Sequence, residues 1–354
     1  MKIARRKSKI IKIGNLSIGG NYPIAIQSMA KVKTSCLDGV LKQIKELQDA
    51  GCEIVRLAVK DTADAKAIRG LKRSVKLPLV ADIHFNWRLA IEAIDNGIDK
   101  IRLNPGNIYK KDEVREIAAA AKLNRIPIRV GVNSGSLRNR ASPATQARDM
   151  VKPALDYLKL LEGFKFYDIV ISLKASNIPD TIEAYQLIAK SCIYPLHLGV
   201  TATGSSYSGA LKSSIALGAL LSEGIGDTIR VSLTDKPAQE VIAARIILEA
   251  LGLRHFGPEI ISCPTCGRCE VDLVSLVKEL ENRLSTIDYR LSTKPPKVAL
   301  MGCVVNGPGE AQGVDLGVAF GKKEGLLFRK GKVIKRVSEE NCIESLLKEM
   351  RRRR

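Results

Sequence analysis

The stretch Pro127-Ile-Arg-Val-Gly-Val-Asn133 is a short run rich in Val and Ile, which is typical of a strand buried in a parallel sheet. Similar runs recur between residues 24 and 235, separated by segments with helical periodicity. The predicted strands are Ile24–Met29, Ile54–Val59, Leu77–Phe85, Lys100–Asn104, Pro127–Asn133, Asp168–Ala175, Pro195–Thr203 and Asp227–Thr234. Eight strands that alternate with helices predict a (β/α)8 TIM barrel, an α/β fold.

A doubly wound open sheet is the alternative fold for such a pattern. It is disfavoured because the count of strands is eight and because no Gly-x-Gly-x-x-Gly follows the first strand. Ahead of that strand, residues 10–20 read Ile-Ile-Lys-Ile-Gly-Asn-Leu-Ser-Ile-Gly-Gly. We interpret this segment as a hairpin that closes the floor of the barrel.

The regular alternation of predicted strands and helices ends at residue 251. A helix over 238–251 completes the predicted TIM-barrel domain, residues 1–251, and Gly252–Pro258 forms a linker. Residues 259–354 are predicted to be a small α+β domain, in which a helix at about 270–284 precedes two strands, a hairpin and a final helix. The strands are expected at 297–301 and 314–320, and the hairpin at 326–337.

Length and composition point to a cytoplasmic protein. The chain has 354 residues, of which 45% are hydrophobic. It contains no run of about 18 apolar residues, the length needed to span a membrane. The basic N-terminus leads into no long apolar segment, so it does not resemble a signal peptide.

The net charge of +20 suggests nucleic-acid binding at first sight, but half of the excess lies at the two ends of the chain. We interpret these ends as solvated tails. Aromatic residues make up only 4% of the chain, so stacking platforms for single strands are scarce. Nucleic-acid binding is therefore a minor alternative.

Charged side chains are predicted to converge inside the barrel. Alternation along the strands places polar residues on the inward face near the strand ends. They include Arg56, Asp82, His84, Arg102, Asn104, Arg129, Asn133, Lys174, Arg230 and Ser232. Four arginines and a lysine face a single acid, and unpaired buried charges cost several kcal/mol. Because arginine binds phosphate oxygens bidentately, a small substrate with about two phosphates would balance this set.

Eight cysteines supply a second candidate site. Three of them crowd into Cys263-Pro-Thr-Cys-Gly-Arg-Cys269, and Cys303 follows 34 residues later. In a reducing cytosol such crowding predicts a metal site rather than disulfides. The spacing Cys-x-x-Cys-x-x-Cys matches the run with which ferredoxins bind an iron–sulfur cluster. The other four cysteines, at positions 36, 52, 192 and 342, are predicted to be small buried hydrophobic residues.

The spacing of the cysteines leaves the ligand set open. Structural zinc is one alternative, although zinc ribbons pair two Cys-x-x-Cys knuckles and Cys303 belongs to no second knuckle. Four thiolates, including Cys269, would make an electron-carrying cluster. Glu310 follows Cys303 in a loop rich in Gly and Pro, and its carboxylate would be a more easily displaced ligand. Catalysis at a cluster needs one such exchangeable position.

Several motifs together resemble the 4-hydroxy-3-methylbut-2-en-1-yl diphosphate synthase family of the methylerythritol phosphate route to isoprenoids. The most specific is Gly302-Cys-Val-Val-Asn-Gly-Pro-Gly-Glu310 after a barrel. The match runs almost end to end. It includes the segments 26–29 (IQSM), 80–85 (VADIHF), 102–107 (RLNPGN), 129–137 (RVGVNSGSL), 174–176 (KAS) and 223–232 (EGIGDTIRVS).

This resemblance implies an oxidoreductase with a [4Fe–4S] cluster on Cys263, Cys266, Cys303 and Glu310, and leaves Cys269 outside the ligand set. It implies that the diphosphate of 2-C-methyl-D-erythritol 2,4-cyclodiphosphate meets arginines, a lysine, Asn133 and Ser232 of the inward face. Two electrons, delivered singly by ferredoxin or flavodoxin, would open the ring and remove a hydroxyl group. Family members are homodimers in which one subunit's cluster domain caps the other's barrel.

The chain departs from the family pattern at three places. Ala202 stands where the family usually has a glutamate thought to assist proton transfer. The loop after the first strand reads Ala30-Lys-Val-Lys33 where Thr-Asn-Thr is usual, and Cys269 is an extra thiol. The alternative to the enzyme is a non-catalytic or zinc-stabilised anion-binding barrel, such as an RNA binder.

Overall fold

The computed structural model describes residues 3–137, 145–201, 203–285, 296–303, 313–322 and 324–352. The chain divides into two compact units, Met1–Arg254 and His255–Arg354. Each unit contains its own sheet, so each is described by itself.

The first unit is a TIM barrel, which confirms the predicted fold. Its strands are β1 (Ile11–Ile13), β2 (Leu16–Ile18), β3 (Ala25–Met29), β4 (Ile54–Val59), β5 (Leu79–Ile83), β6 (Lys100–Leu103), β7 (Ile128–Asn133), β8 (Ile169–Lys174), β9 (His197–Leu198) and β10 (Thr228–Ile229). The parallel sheet has the order β8-β7-β6-β5-β4-β3-β10-β9. A bridge between Ile171 and Leu196 brings its two ends together.

Helices follow the barrel strands and cover the sheet. They are α1 (Leu37–Asp49), α2 (Thr62–Ser74), α3 (Arg88–Asp95), α4 (Lys111–Leu123), α5 (Gln146–Gly163), α6 (Ile178–Ser191), α7 (Ser206–Ser222) and α8 (Pro237–Ala250). Local sequence fixes where some of them begin. The side chains of Asp61 and Asn177 accept hydrogen bonds from the backbone N–H groups of the first turns of α2 and α6.

The N-terminal hairpin closes the floor of the barrel, as predicted. β1 and β2 pair antiparallel, and their isoleucines Ile11, Ile13 and Ile18 are buried. They pack against Ala25, Ile54, Val80 and Val170, which belong to the first halves of barrel strands. This apolar layer removes the lower end of the barrel from water.

Strands β9 and β10 are shorter than the predicted runs Pro195–Thr203 and Asp227–Thr234. Beyond Leu198 the backbone at Gly199 passes so close to its neighbours that a Cβ there would lie 2.7 Å from the carbonyl oxygen of Arg230. The backbone makes only scattered hydrogen bonds further on, such as Thr201 N–H to the carbonyl of Ala175 at 3.2 Å. The regular ladder therefore ends early on this side of the barrel.

The basic N-terminal segment is not a solvated tail, so that prediction was wrong for its arginines. Arg5 donates to Asp227 Oδ1 at 3.0 Å, and Arg6 donates to the carbonyl of Cys192 at 2.7 Å. Gly224 makes room for this segment, since a Cβ at that position would collide with the carbonyl oxygen of Ala4. Buried acceptors at the bottom of the barrel hold these two cations in place.

The second unit is a small α+β fold, also as predicted. Its elements are β11 (Glu259–Ser262), α9 (Leu273–Ser285), β12 (Lys297–Met301), β13 (Leu316–Phe320), β14 (Gly325–Arg329), β15 (Lys332–Val337) and α10 (Glu339–Arg351). β11, β12 and β13 are parallel, whereas β13, β14 and β15 are antiparallel. The sequence analysis missed β11, a four-residue strand whose residues are exposed or half-buried.

The isolated cysteines are not uniformly buried. Cys52 and Cys342 lie in the cores of their units, and burial raises the pKa of the Cys52 thiol to about 12. Cys192 is half-buried, and Cys36 is exposed, so the prediction of a buried Cys36 was wrong. Cys36 directly precedes α1, where the chain lies at the protein surface. Among the helices that the structure describes, none combines the length and apolar character needed to cross a bilayer.

Candidate functional site

A polar cavity of about 100 Å³ lies at the carboxyl ends of the barrel strands. This end of a TIM barrel carries the active site in characterised enzymes of this fold. The cavity is lined by Arg56, Asp82, His84, Arg102, Asn133, Ser172, Lys174, Val200, Thr201, Arg230 and Ser232. The structure thus brings together eight of the ten residues that were predicted to bind substrate in the barrel.

Asp82 at the end of β5 organises one wall of the cavity. Its carboxylate lies 3.1 Å from Arg102 Nη1, 3.6 Å from Arg56 Nε and 3.4 Å from His84 Nε2. Burial opposes the charged form of Asp82, but the neighbouring Arg56, His84 and Arg102 outweigh it and hold its pKa well below the usual range. Asp82 is therefore ionised at neutral pH and orients two arginines at once.

Arg102 occupies space that a missing side chain leaves open. A Cβ at Gly131 on β7 would lie 2.5 Å from Arg102 Nε, so only glycine lets the guanidinium cross this strand. The Nη2 of Arg102 donates to the carbonyl of Gly131 at 2.8 Å. Gly131, one of the two glycines in the motif 129–137, therefore has a direct role in shaping the cavity.

Lys174 at the end of β8 is buried beneath Gly199 in a comparable way. A Cβ at Gly199 would lie 2.8 Å from Lys174 Nζ. Burial and then the charges of Arg56 and Arg230 lower the pKa of Lys174 well below its usual value. Lys174 Nζ lies 3.4 Å from His197 Nε2, and the pKa of His197 is also lowered, chiefly by burial. An anion in the cavity would favour the charged form of this lysine.

Arg230 is paired with a carboxylate that the sequence analysis missed. Its Nε and Nη2 donate to Glu240 at 3.3 and 3.4 Å. The sequence analysis expected Asp82 to be the only acid on the inward face of the barrel, because it took account of strand residues alone. Glu240 reaches the strand end from the first turn of α8, and an acid in that turn is the signal that could have revealed it. The positive groups of the cavity still outnumber the negative ones, since four cations face two carboxylates. These residues are Arg56, Arg102, Lys174 and Arg230, and Asp82 and Glu240.

Two predicted substrate-binding residues do not line the cavity. Asn104 supports a loop, since its side chain contacts Ser136 Oγ at 2.9 Å and accepts from Gly106 N–H at 3.0 Å. Arg129 is fully buried, and its Nη1 donates to Gln27 Oε1 at 3.2 Å. The Nε and Nη2 atoms of Arg129 meet no acceptor within the ranges that the structure describes.

Lys100 is a further buried cation that the sequence analysis omitted. It lies two residues before Arg102 on β6, so the same alternation should have placed it on the inward face. Its side chain is fully buried, and its amine has no hydrogen-bond partner in the described part of the chain. Burial and then the charge of Arg129 lower its pKa well below the usual value.

The predicted cluster cysteines follow two neighbouring strands of the second unit. β11 and β12 are parallel with Ser262 opposite Leu300, so Cys263 and Cys303 emerge at the same edge of the sheet. The backbone N–H of Gly302 donates to Cys263 Sγ at 3.3 Å. Hydrogen bonds of this kind to cysteine sulfur are a common means of tuning iron–sulfur sites.

Cys269 packs against the same backbone. A Cβ at Gly302 would collide with Cys269 Sγ, so the thiol fills the space above this glycine. The Cys269 N–H also donates to the carbonyl of Cys266 at 2.9 Å, which closes a turn over residues 266–269, directly after Thr265 at φ 59°. Cys266 itself is exposed.

The donor set fits an iron–sulfur group in its chemistry, since soft thiolates are brought to one sheet edge. The predicted fourth ligand, Glu310, and Ala202 both lie outside the described residues. Within the described ranges, no three His, Cys, Asp or Glu side chains already stand in the geometry of a metal site. All eight cysteines are described, and none forms a disulfide.

Comparison with known proteins identifies the family. A family profile described as the GcpE TIM-barrel domain matches residues 8–245, and one described as the GcpE protein C-terminal domain matches residues 259–352. Proteins named 4-hydroxy-3-methylbut-2-en-1-yl diphosphate synthase (flavodoxin) are similar over nearly their whole length. The one from Caldanaerobacter subterraneus is 52% identical over 98% of this chain and 97% of its own. The one from Ruminiclostridium cellulolyticum is 49% identical over 98% of both chains.

Solved structures show the barrel more distantly. Dihydropteroate synthase from Stenotrophomonas maltophilia superposes with a TM-score of 0.54 at 12% identity, over 70% of this chain and 100% of that one. This likeness concerns the fold alone. On the evidence of the two family profiles and the full-length relatives, the chain belongs to the GcpE family, that of the 4-hydroxy-3-methylbut-2-en-1-yl diphosphate synthases.

Proposed function

We propose that this chain forms 4-hydroxy-3-methylbut-2-en-1-yl diphosphate by reductive ring opening of 2-C-methyl-D-erythritol 2,4-cyclodiphosphate. The observation that carries the proposal is the cavity at the strand ends, where four cations face two carboxylates. Relatives about 50% identical over nearly the whole chain are named for this product. The relatives support the enzyme and not the anion-binding or RNA-binding alternative.

The diphosphate is proposed to bind among the cations of the cavity. Arg56, Arg102, Arg230 and Lys174 supply the charge, while Asn133 and Ser232 supply neutral hydrogen-bonding groups. Asp82 holds two of the arginines in place, and His84 lies at the same wall. Asn104 and Arg129 are also included in the proposed substrate-binding set, although neither lines the cavity. Asn104 supports a neighbouring loop, and Arg129 is buried in the barrel. Guanidinium groups suit this task because they bind phosphate oxygens through paired hydrogen bonds.

The proposed redox group is a [4Fe–4S] cluster held by Cys263, Cys266, Cys303 and Glu310. When bound, such a cluster supplies single electrons and an iron whose ligand can be exchanged. The reaction consumes two electrons and one proton: the C–O bond that closes the ring breaks and leaves its oxygen on the phosphate, and a hydroxyl group leaves as water. The N–H of Gly302 supports the proposal, because it already donates to one of the thiols.

The relatives' names support flavodoxin as the electron donor, and we propose the same donor here. We also propose a homodimer in the cytoplasm and a domain division into residues 1–251, a linker at 252–258, and a cluster domain at 259–354. The resemblance noted in the sequence is the basis for the homodimer.

Anaerobic purification tests this function. We expect a brown protein with about four irons and four sulfides per chain. With a chemical reductant it should convert the cyclodiphosphate to the product. A colourless protein that holds one zinc ion and leaves the cyclodiphosphate intact would refute the proposal.

A further inference from the structure

Glu240 is a buried carboxylate that several donors share at the edge of the cavity. It is 1% exposed, and its Oε2 accepts from Ser28 Oγ at 3.0 Å and from Arg230 Nε at 3.3 Å. Its Oε1 accepts from the backbone N–H of Leu233 at 3.2 Å and from Arg230 Nη2 at 3.4 Å. The carboxylate therefore fixes the Nε edge of the Arg230 guanidinium and leaves the Nη1 edge for the cavity.

Lys31 is a second cation on this carboxylate. It lies in the loop after β3 and does not line the cavity. Its Nζ is 3.4 Å from Glu240 Oε1 and donates to the carbonyl oxygens of Leu233, at 2.8 Å, and Asp235. Three acceptors satisfy all three N–H groups of the ammonium, so the lysine is held in one position.

The contact between Lys31 and Glu240 makes the charge near Arg230 more positive. Glu240 and Arg230 alone would form a neutral pair, and a neutral pair attracts a phosphate weakly. With Lys31 on the same carboxylate, the three groups carry a net charge of +1, and Arg230 is the member that faces the cavity. Glu240 and Arg230 are mostly buried, whereas Lys31 is 36% exposed, so water screens the charge on the side of the lysine but less at Arg230 than it would at a surface site.

We propose that Lys31 is a positioning residue for the substrate's diphosphate: it shares Glu240 with Arg230 and so leaves the charge of Arg230 available to phosphate. This inference rests on the proposed function, because it assumes that the barrel cavity takes the diphosphate. Lys31 acts through Glu240 and touches no substrate atom.

The test measures binding of inorganic pyrophosphate to the anaerobically purified holoprotein by titration calorimetry. Lys31→Gln removes the charge and keeps an N–H donor for the carbonyls of Leu233 and Asp235. We expect it to weaken pyrophosphate binding about fivefold. Lys31→Arg keeps the charge and should bind within about twofold of the parent.

Lys33→Gln is the matched control, since it removes the same charge from the same loop. Lys33 pairs with Asp61 at 3.5 Å, and both side chains are largely exposed. An exposed pair of this kind contributes little, so pyrophosphate binding should stay within about twofold of the parent. In turnover assays, the effect of Lys31→Gln should fall on KM rather than on kcat.

The outcomes separate the two proposals. If the parent protein binds no pyrophosphate, the proposed function of the cavity fails. If the parent binds but Lys31→Gln matches Lys33→Gln, then the inference about Lys31 is overturned and the lysine only joins two loops. Weakened binding in both Lys31→Gln and Lys31→Arg would also overturn it, because charge would not be the property that matters.

Discussion

Replacing Asp82 with asparagine tests the electrostatic design of the cavity. The substitution keeps the shape of the side chain and removes its charge. Asp82 is 5% exposed, and its carboxylate is within 3.6 Å of nitrogen atoms of Arg56, Arg102 and His84. Asp82→Asn therefore leaves two mostly buried arginines without the carboxylate they share.

The magnitude follows from the burial of these groups. Breaking a buried ion pair by removal of one partner costs about 3–5 kcal/mol. Because the adjoining cavity lets water reach the arginines, we expect the lower end, a loss of about 3 kcal/mol in the free energy of unfolding. For a unit of this size the melting temperature should fall by about 6 to 12 °C.

Thermal melting at pH 7, with and without pyrophosphate, is the assay. Pyrophosphate should raise the melting temperature of Asp82→Asn by more than that of the parent, since the variant has a larger excess of positive charge. The control is Asp49→Asn, which breaks an exposed pair with Lys45 at 3.4 Å and should change stability by less than about 1 kcal/mol. If Asp82→Asn melts like the control, the carboxylate does not hold the arginines and the reasoning is refuted.

The same carboxylate predicts a pH dependence. The pKa of Asp82 in the folded protein lies well below the unfolded value, which is near 4. Its contribution to stability is therefore complete above about pH 4 and is lost as the pH falls through the lower folded-state pKa. The difference in melting temperature between the parent and Asp82→Asn should be constant from pH 8 to 5 and should shrink under strongly acidic conditions. A difference that already disappears between pH 7 and 5 would contradict this assignment.

Three further substitutions test other parts of the two sites. Gly131→Ala should weaken pyrophosphate binding about tenfold, because its Cβ would lie 2.5 Å from Arg102 Nε; Gly135→Ala, where a Cβ meets nothing within 4 Å, is the control, and equal binding by both would contradict the steric argument. Arg230→Ala should weaken substrate binding without bleaching the cluster in visible absorption, and unchanged turnover would refute the anchoring role. Cys269→Ser should keep its iron and sulfide content, whereas loss of the cluster would restore the four-thiolate hypothesis.

The barrel could be predicted because its signal is repeated. Each strand is a Val- and Ile-rich run buried on both faces, and eight such runs leave few alternatives. The ends of strands were harder to predict, because tertiary contacts decide them. The ladder at β9 ends where Gly199 meets the carbonyl of Arg230, a contact between segments about 30 residues apart.

The site could be predicted only in part, since alternation identifies the inward face but not depth along the barrel. Arg102 and Arg129 are opposite each other in the register of β6 and β7, yet only Arg102 lines the cavity. Glu240 was missed because a helix supplies it, and no strand pattern contains it. The short strand β11, which positions Cys263, lacks the apolar run that marks a strand.

The interior of this barrel is built at some expense to its own stability. Branched apolar side chains usually fill the interior of a TIM barrel, whereas here Lys100, Arg129 and Lys174 are buried there. Burial is the main reason that the pKa of each of these cations is lowered. The apolar contacts that offset this cost lie elsewhere, in the floor formed by β1 and β2 and between the helices and the sheet. Of these three cations Lys174 lines the cavity, so an anion there offsets its repulsion from Arg56 and Arg230, and ligand binding and folding are coupled. It follows that the stabilising effect of a ligand should grow with its negative charge, and that pyrophosphate should raise the melting temperature more than phosphate does at equal concentration.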